Sequence, residues 1–383
     1  MRREDSFIEI ESSEELADHI EREQNMRQLA VQGLSLLEPA IDQAITSVSA
    51  NRSYFLGCTM SAQAEEHVRK TGGTVFPDFG DLPFNAYRSC LYTVQELMDG
   101  YERGNRESLA DTVDGKIYAY FKKHRVPNRP MAIIPALAFR IHDHAIDDAI
   151  FDLLYPEQDS PLKVVAVMGG HKMRRDDPSF LQVAQIASRL SQVGYFVTSG
   201  GGPGAMEASN LGAYFSEKSE SDLEALIRAL SAQPQFGDDH YFETAYEIID
   251  RHPTGRRSLA LPTWFYGHEP TNLFASHVAK YFANSIREDG MLAIARHGVI
   301  FSPGSAGTIQ EVFMDAAQNR YGSYGTISPM IFLGREYWTE TKPVYPLLKT
   351  LAEGRPYEKM MMITDDTEEV VRFIREHGPI QAE

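Results

Sequence analysis

The segment from Gly298 to Gln318, GVIFSPGSAGTIQEVFMDAAQ, constrains the fold of this chain more than any other. A short apolar run enters a Pro-Gly-Ser-Ala-Gly-Thr turn and leaves as a segment with helical spacing, which predicts strand, loop and helix in that order. In a parallel α/β sheet, such a loop lies at the carboxyl end of a strand, where ligands bind, and the helix start offers unpaired N–H groups to an anion. Gly304 and Gly307 let the backbone close around a phosphate, and Ser305 and Thr308 add hydroxyl donors. A structural role competes with this one. Thr308-Ile309-Gln310-Glu311 also has the form of a capping box, in which Thr308 and Glu311 only satisfy helix-end donors, and that is the commoner use of such a tetrapeptide.

A second unit of the same kind lies upstream. From Pro161 the chain alternates apolar runs and helical patterns: Leu162 to Met168 ends in Gly169-Gly170-His171-Lys172, Phe180 to Leu190 is helical, and Tyr195 to Thr198 follows Gly194. This βαβ unit opens into Ser199-Gly200-Gly201-Gly202-Pro203-Gly204-Ala205-Met206-Glu207-Ala208 and a helix continuing toward Tyr214. The loop lacks the GxGxxG order of a dinucleotide site and the Lys-Ser/Thr ending of a P-loop. Glu217 to His252 reads as charged and loop-rich, and Ser258 to Pro262 as a short strand. The cluster Trp264-Phe265-Tyr266-Gly267-His268-Glu269-Pro270-Thr271-Asn272 could stack on a base and hydrogen-bond its edge, or simply pack a loop. A helix from about Phe274 is expected to carry Arg287, Glu288 and Met291. Pro329 to Leu333 and Met360 to Thr364 read as strands, and Val344 to Ala352 and Thr367 to His377 as helices.

The first third is expected to be a mainly helical accessory domain over residues 1–160, ahead of a Rossmann-like catalytic domain over 161–383. Ser12-Ser13-Glu14-Glu15 marks a helix start, and a stripe through Leu16, Ile20, Leu29, Ala30, Gly33, Leu34 and Leu37 extends it to Pro39. A second helix runs to about Val48, and Tyr54 to Phe76 reads as a small β-α-β pattern. Helices are expected around Leu91 to Tyr101, Ser108 to His124 and His142 to Leu154. His142, His144, Asp143, Asp147 and Asp148 lack metal-ligand spacing, because residues two apart on a helix point in different directions. A solvated polar face is the expectation there, and no metal site. No internal repeat is evident.

At 383 residues with 43% hydrophobic content, the chain can build one large core or two ordinary ones. A net charge of −17 argues against broad binding to nucleic acid or to anionic membranes and leaves room only for a local anion pocket. Two widely separated cysteines, Cys58 and Cys90, fit a reducing cytoplasm, and the sequence shows neither an apolar signal core at its start nor a run of membrane-spanning length.

The ordered motifs MGGHKM, SGGGPGAMEASNLGA, EPTN, SIREDGM and HGVIFSPGSAGTIQE resemble those of the bacterial nucleotide 5′-monophosphate nucleosidases and the plant LONELY GUY phosphoribohydrolases, often mislabelled lysine decarboxylases. The resemblance covers roughly residues 161–375. It implies that PGSAGT supplies the phosphate cradle (Gly304, Ser305, Gly307, Thr308), and that Gly200, Gly201, Gly202, Gly204 and Met206 form a second substrate loop. By the same resemblance, Glu311, Arg287 and Glu207 carry the chemistry. Ser305 stands where a glycine is usual, and one extra residue separates Arg287 from Pro303.

The implied fold is a doubly wound, Rossmann-like parallel sheet. The implied reaction is hydrolysis of the N-glycosidic bond of a nucleoside 5′-monophosphate, without metal or cofactor, in a homo-oligomer. A pyridoxal-phosphate reaction would need a Schiff-base lysine, and the central motif contains none. A carboxylate near the ribose suits an oxocarbenium-like transition state and can orient or deprotonate water. The alternative is a nucleotide-binding sensor that does not hydrolyse its ligand.

Overall fold

The computed structural model describes residues 7–156 and 160–382. The first six residues, which open the acidic N-terminus, and residues 157–159, beside the expected domain boundary at 160, lie outside the described residues. The chain forms two compact units: one holds the chain through Leu91 together with Lys122–Ala149, the other Tyr92–Phe121 together with the chain from Ile150.

The smaller unit runs β1 (Ile8–Ile10), α1 (Ser13–Glu23), β2 (Leu29–Gln32), α2 (Pro39–Ser47), β3 (Tyr54–Leu56), α3 (Ala62–Lys70) and β4 (Thr74–Phe76). Its four strands are parallel in the order β1-β2-β3-β4. The helix start is as expected: Ser12 and Glu15 form a complete capping box. The expected long helical stripe is not. Gln24 and Gln28 both adopt left-handed backbone and turn the chain into β2, so Leu29 and Val31 enter the core from a strand. Helices hold most of this unit's regular structure, as expected, and with them stands a four-stranded parallel sheet that makes the unit α/β.

The larger unit receives α4 (Val94–Leu97) and the first turns of α5 (Val113–His124), and takes up the chain again at the end of α6 (Ile133–Leu154). It continues through β5 (Lys163–Met168), α7 (Pro178–Gln192), β6 (Tyr195–Ser199), α8 (Ala205–Tyr214), α9 (Glu220–Leu230), α10 (Tyr241–Arg251), β7 (Leu259–Ala260), β8 (His277–Val278) and α11 (Asn284–Ile294). It then completes the fold with β9 (Val299–Phe301), α12 (Ala306–Tyr321), β10 (Thr326–Ile327), β11 (Met330–Leu333), α13 (Val344–Ala352), β12 (Met361–Thr364), α14 (Thr367–Glu376) and β13 (Ile380–Gln381). Seven strands form one parallel sheet in the order β12-β11-β9-β5-β6-β7-β8. The chain winds outward from β5 through β6 to β8, then returns to the other side of β5 at β9. The fold is therefore doubly wound, with its switch point between β5 and β9. The strands β5, β9 and β11 are buried almost throughout, as a sheet covered on both faces requires.

Three local expectations change. Glu217 to His252 is mostly helix: Ser219 caps α9, whose Leu223, Ile227 and Leu230 are buried. The helix expected from Phe274 is the edge strand β8 and its flanks, with Val278, Lys280 and Tyr281 fully buried; α11 begins only at Asn284. His142 and Asp143 are likewise fully buried in the smaller unit, 3.2 Å apart, not on a solvated face. Burial of His142 lowers its pKa below the ordinary imidazole value.

Candidate active site

Three strand ends build the site, and hydrogen bonds tie their loops together. Gly170, after β5, donates its N–H to the Pro303 carbonyl after β9 at 3.0 Å and accepts from the Ala205 N–H after β6 at 3.3 Å. The GGGPG and PGSAGT loops therefore flank the β5 loop at the carboxyl edge of the sheet, where a doubly wound fold leaves its crevice. A cavity of ≈ 670 Å³ opens there.

One end of the cavity is the start of α12. The N-cap residue is Ser305, with no side-chain cap, so the helix begins at Ala306 and Thr308 lies inside its first turn. The capping box expected as the structural role of Thr308 and Glu311 does not form. Ser305, Ala306, Gly307 and Thr308 all line the cavity, which presents the uncapped, positive end of the helix dipole to it. Gly304 does not line the cavity; it shapes the turn. A Cβ there would lie 2.2 Å from Thr308 Oγ1, and the Gly304 carbonyl accepts from Tyr337 Oη and, at 3.3 Å, from Lys342 Nζ.

The second loop is clamped from behind. The Gly201 carbonyl accepts from the Asn272 backbone at 2.8 Å, from Asn272 Nδ2 at 3.1 Å and from Thr271 Oγ1 at 3.3 Å. Asn210 joins this clamp, accepting from Asn272 Nδ2 at 2.9 Å and from Ser199 Oγ at 2.7 Å. The EPTN motif thus acts through the loop. Gly204, at φ +72°, begins α8, and a Cβ there would lie 2.4 Å from the Gly170 carbonyl. Gly200 and Met206 reach the cavity wall, whereas Gly201, Gly202 and Gly204 serve the turn and do not line it.

The carboxylates divide. Glu311 on α12 lines the cavity, with its Oε1 3.5 Å from Arg287 Nη1 on α11, and the Arg287 Nε donates to the Leu261 carbonyl at 2.8 Å. Glu288 also lines the cavity and accepts from Gln310 Nε2 at 2.7 Å. Burial pushes Glu311 up to about 7; Arg287 opposes this and Glu288 adds to it. Glu207 is elsewhere. Its carboxylate is buried against Arg175, with Nε–Oε2 at 2.9 Å and Nη2–Oε1 at 2.5 Å, and Tyr241 donates to Oε2 at 2.6 Å. Both oxygens are engaged and Glu207 does not line the cavity, so the expectation of a catalytic Glu207 is revised: it locks α8 to α10. Arg175 gave no sign of this in the sequence, since its partners lie 32 and 66 residues away.

The remaining wall comes from Phe236, Tyr266, His268 and Glu269. Trp264, expected as a stacking candidate, is fully buried, stacked on Phe282 at 4.5 Å and donating to Asp114 Oδ1 at 2.7 Å. Sequence reasoning gave no role to Asp114, which sits on α5.

No protein-family model matches the sequence, and no curated protein does. Among solved structures, the chain is similar to the molybdenum cofactor binding protein of Rippkaea orientalis, with 14% identity over 57% of this chain and 98% of that one and a TM-score of 0.38. It is also similar to the Moco carrier protein of Chlamydomonas reinhardtii, with 11% identity over 56% of this chain and 96% of that one and a TM-score of 0.35.

Proposed function

We propose that this protein hydrolyses the N-glycosidic bond of nucleoside 5′-monophosphates, releasing free base and ribose 5-phosphate. The observation that carries this reading is the Glu311–Arg287 pair in a cavity whose end is the uncapped start of α12. The helix start takes the phosphate, and that contact holds the ribose against the carboxylates. As the glycosidic bond lengthens, positive charge develops on the sugar, and ionised Glu311 stabilises it and accepts a proton from the attacking water. Arg287 orients the carboxylate and favours its charged form, in opposition to burial. Among the described residues no lysine lines the cavity, which gives a Schiff-base mechanism nothing to start from.

Both cysteines are free thiols, which suits action in a reducing cytoplasm. Among the described residues, no helix is long and apolar enough to cross a membrane.

A second reading is a nucleotide sensor that binds without hydrolysis. One observation favours it: a Glu311 held up to about 7 is partly neutral near pH 7 and repels a phosphate less. Incubation with a panel of nucleoside monophosphates, assayed for free base and for binding, separates the two. Base release supports the hydrolase; tight binding with no release supports the sensor.

A further inference from the structure

Outside α12, the cavity wall carries an arrangement that the proposed reaction has not yet used. His268 lines the cavity, and its Nε2 is buried 3.4 Å from Oδ2 of Asp114, a charge contact that does not reach hydrogen-bond geometry. Asp114 is itself 1% exposed and belongs to α5. Four residues further along that helix, on the same face, the Tyr118 ring stacks on the His268 imidazole with centroids 5.4 Å apart and planes 14° apart. Buried Lys280 reaches Asp114 at 2.8 Å and also donates to the Glu269 carbonyl at 3.0 Å. Burial works to raise the Asp114 pKa, but Lys280 and His268 together outweigh it and hold the carboxyl below its ordinary value. A permanent anion thus stands behind one nitrogen of an imidazole whose ring is fixed by an aromatic stack.

We infer that His268, oriented by Asp114, is the proton donor to the departing base. This rests on the hydrolase reading of the same cavity. A carboxylate beside Nε2 favours a proton on that nitrogen, which leaves Nδ1 to hand the catalytic proton to the base. Nucleobases are poor leaving groups as anions, and a donor at the leaving side supplies what Glu311 cannot. In the step, the C1′–N bond breaks and its electron pair stays with the base, which takes the proton from His268 Nδ1. The water oxygen bonds to C1′, and the proton that water loses passes to Glu311. One water is added across the bond, and both side chains return to their starting states by exchange with solvent.

The groups that bear on His268 are Asp114 and Tyr118 from α5, Lys280 after β8, and the neighbouring Glu269; His171, Tyr266, Arg287, Glu288 and Glu311 line the same cavity. The arrangement has a purely structural alternative, in which Asp114 exists to neutralise Lys280 and His268 merely covers the pair. The pH dependence of kcat separates the two readings, because a structural histidine imposes no basic limb.

The test uses the full chain and whichever nucleoside monophosphate the wild type turns over fastest. His268→Gln is expected to fold, to keep KM within a few-fold, to lose kcat by about 10²-fold or more, and to lose the fall in rate on the basic side. His268→Ala should be equally slow and should recover rate when free imidazole is added, which guards against a misplaced glutamine. A kcat within threefold of wild type in both variants overturns the assignment and leaves the hydrolase reading standing. So does a slow His268→Gln that keeps the wild-type basic limb, or a slow His268→Ala that imidazole does not rescue. A wild-type protein that releases base from no monophosphate overturns the hydrolase reading, and this inference with it.

Discussion

Arg287 Nη1 stands 3.5 Å from Glu311 Oε1, while the same guanidinium is anchored through Nε to the Leu261 carbonyl at 2.8 Å. This ion pair is loose because its arginine is held from behind. Burial therefore wins over attraction, and Glu311 rises to about 7 rather than falling. A carboxylate poised near neutrality can exchange protons with water at working pH, which a tight bidentate pair would prevent.

The pH profile follows from this. In the proposed hydrolysis ionised Glu311 is the working form, so kcat/KM for a nucleoside monophosphate should rise as pH increases through about 7. Removing the positive neighbour with Arg287→Met favours the protonated carboxyl, so the rising limb should move to higher pH. A limb that stays in place after the substitution would mean that another group titrates.

Glu311→Gln isolates the charge while keeping the shape. Base release should fall by about 10²-fold or more with nucleotide binding retained. Stability carries a sign as well. The folded pKa of Glu311 is raised, so its contribution is fully present below the unfolded carboxyl value and is lost as pH rises through about 7. The glutamine variant has no such loss, so its melting temperature should gain on wild type between pH 6 and pH 8. Calorimetry at the two pH values checks this, and a gap that is constant or reversed would contradict it.

The phosphate should be required for turnover as well as for affinity. Adenosine monophosphate should be cleaved with a far higher kcat/KM than adenosine, because the proposed phosphate contact at the start of α12 would position a bond some distance away. Gly304→Ala should erode that advantage, since its Cβ would meet Thr308 Oγ1 at 2.2 Å and move the first turn of the helix. Equal kcat/KM for nucleotide and nucleoside in the wild type would sink the cradle.

Glu207 should behave as a structural residue. Glu207→Gln leaves the Arg175 guanidinium buried with its anion gone, which should cost about 3–5 kcal/mol of stability. At low temperature, the fraction that remains folded should keep near-normal kcat. Chemical denaturation and active-site titration together measure both quantities, and a stable but inactive variant would return Glu207 to the chemistry.

Much of the larger unit was legible because its signals are local. The buried runs at β5 and β9 are bounded by glycine loops, and the helix after each buries residues at three- and four-residue spacing, mainly apolar in α7 and mostly polar in α12. The smaller unit hid its strands: three or four residues are too few to show a period of two, so Leu29 to Gly33 blended into the helical stripe before it. The edge strand β8 hid for the same reason, and because burial on all sides gives its flanks no polar face.

In the site, the sequence by itself determined the strand–loop–helix order, the glycines that the turns require, and the placing of Glu311 and Arg287 on consecutive helices. Those features depend on neighbours in the chain. Tertiary structure alone decided which carboxylates face the cavity. Glu207 lies in the first turn of α8 and Glu311 in the second turn of α12, yet Arg175 and Tyr241 withdraw the first, while a loosely held Arg287 leaves the second available. Asp114 likewise reaches Trp264, His268 and Lys280 across about 150 residues of sequence, in contacts that exist only once α5 meets the segments after β7 and β8. Partner choice among buried charges is settled by desolvation and distance in the folded chain, and neither quantity exists until the chain has folded.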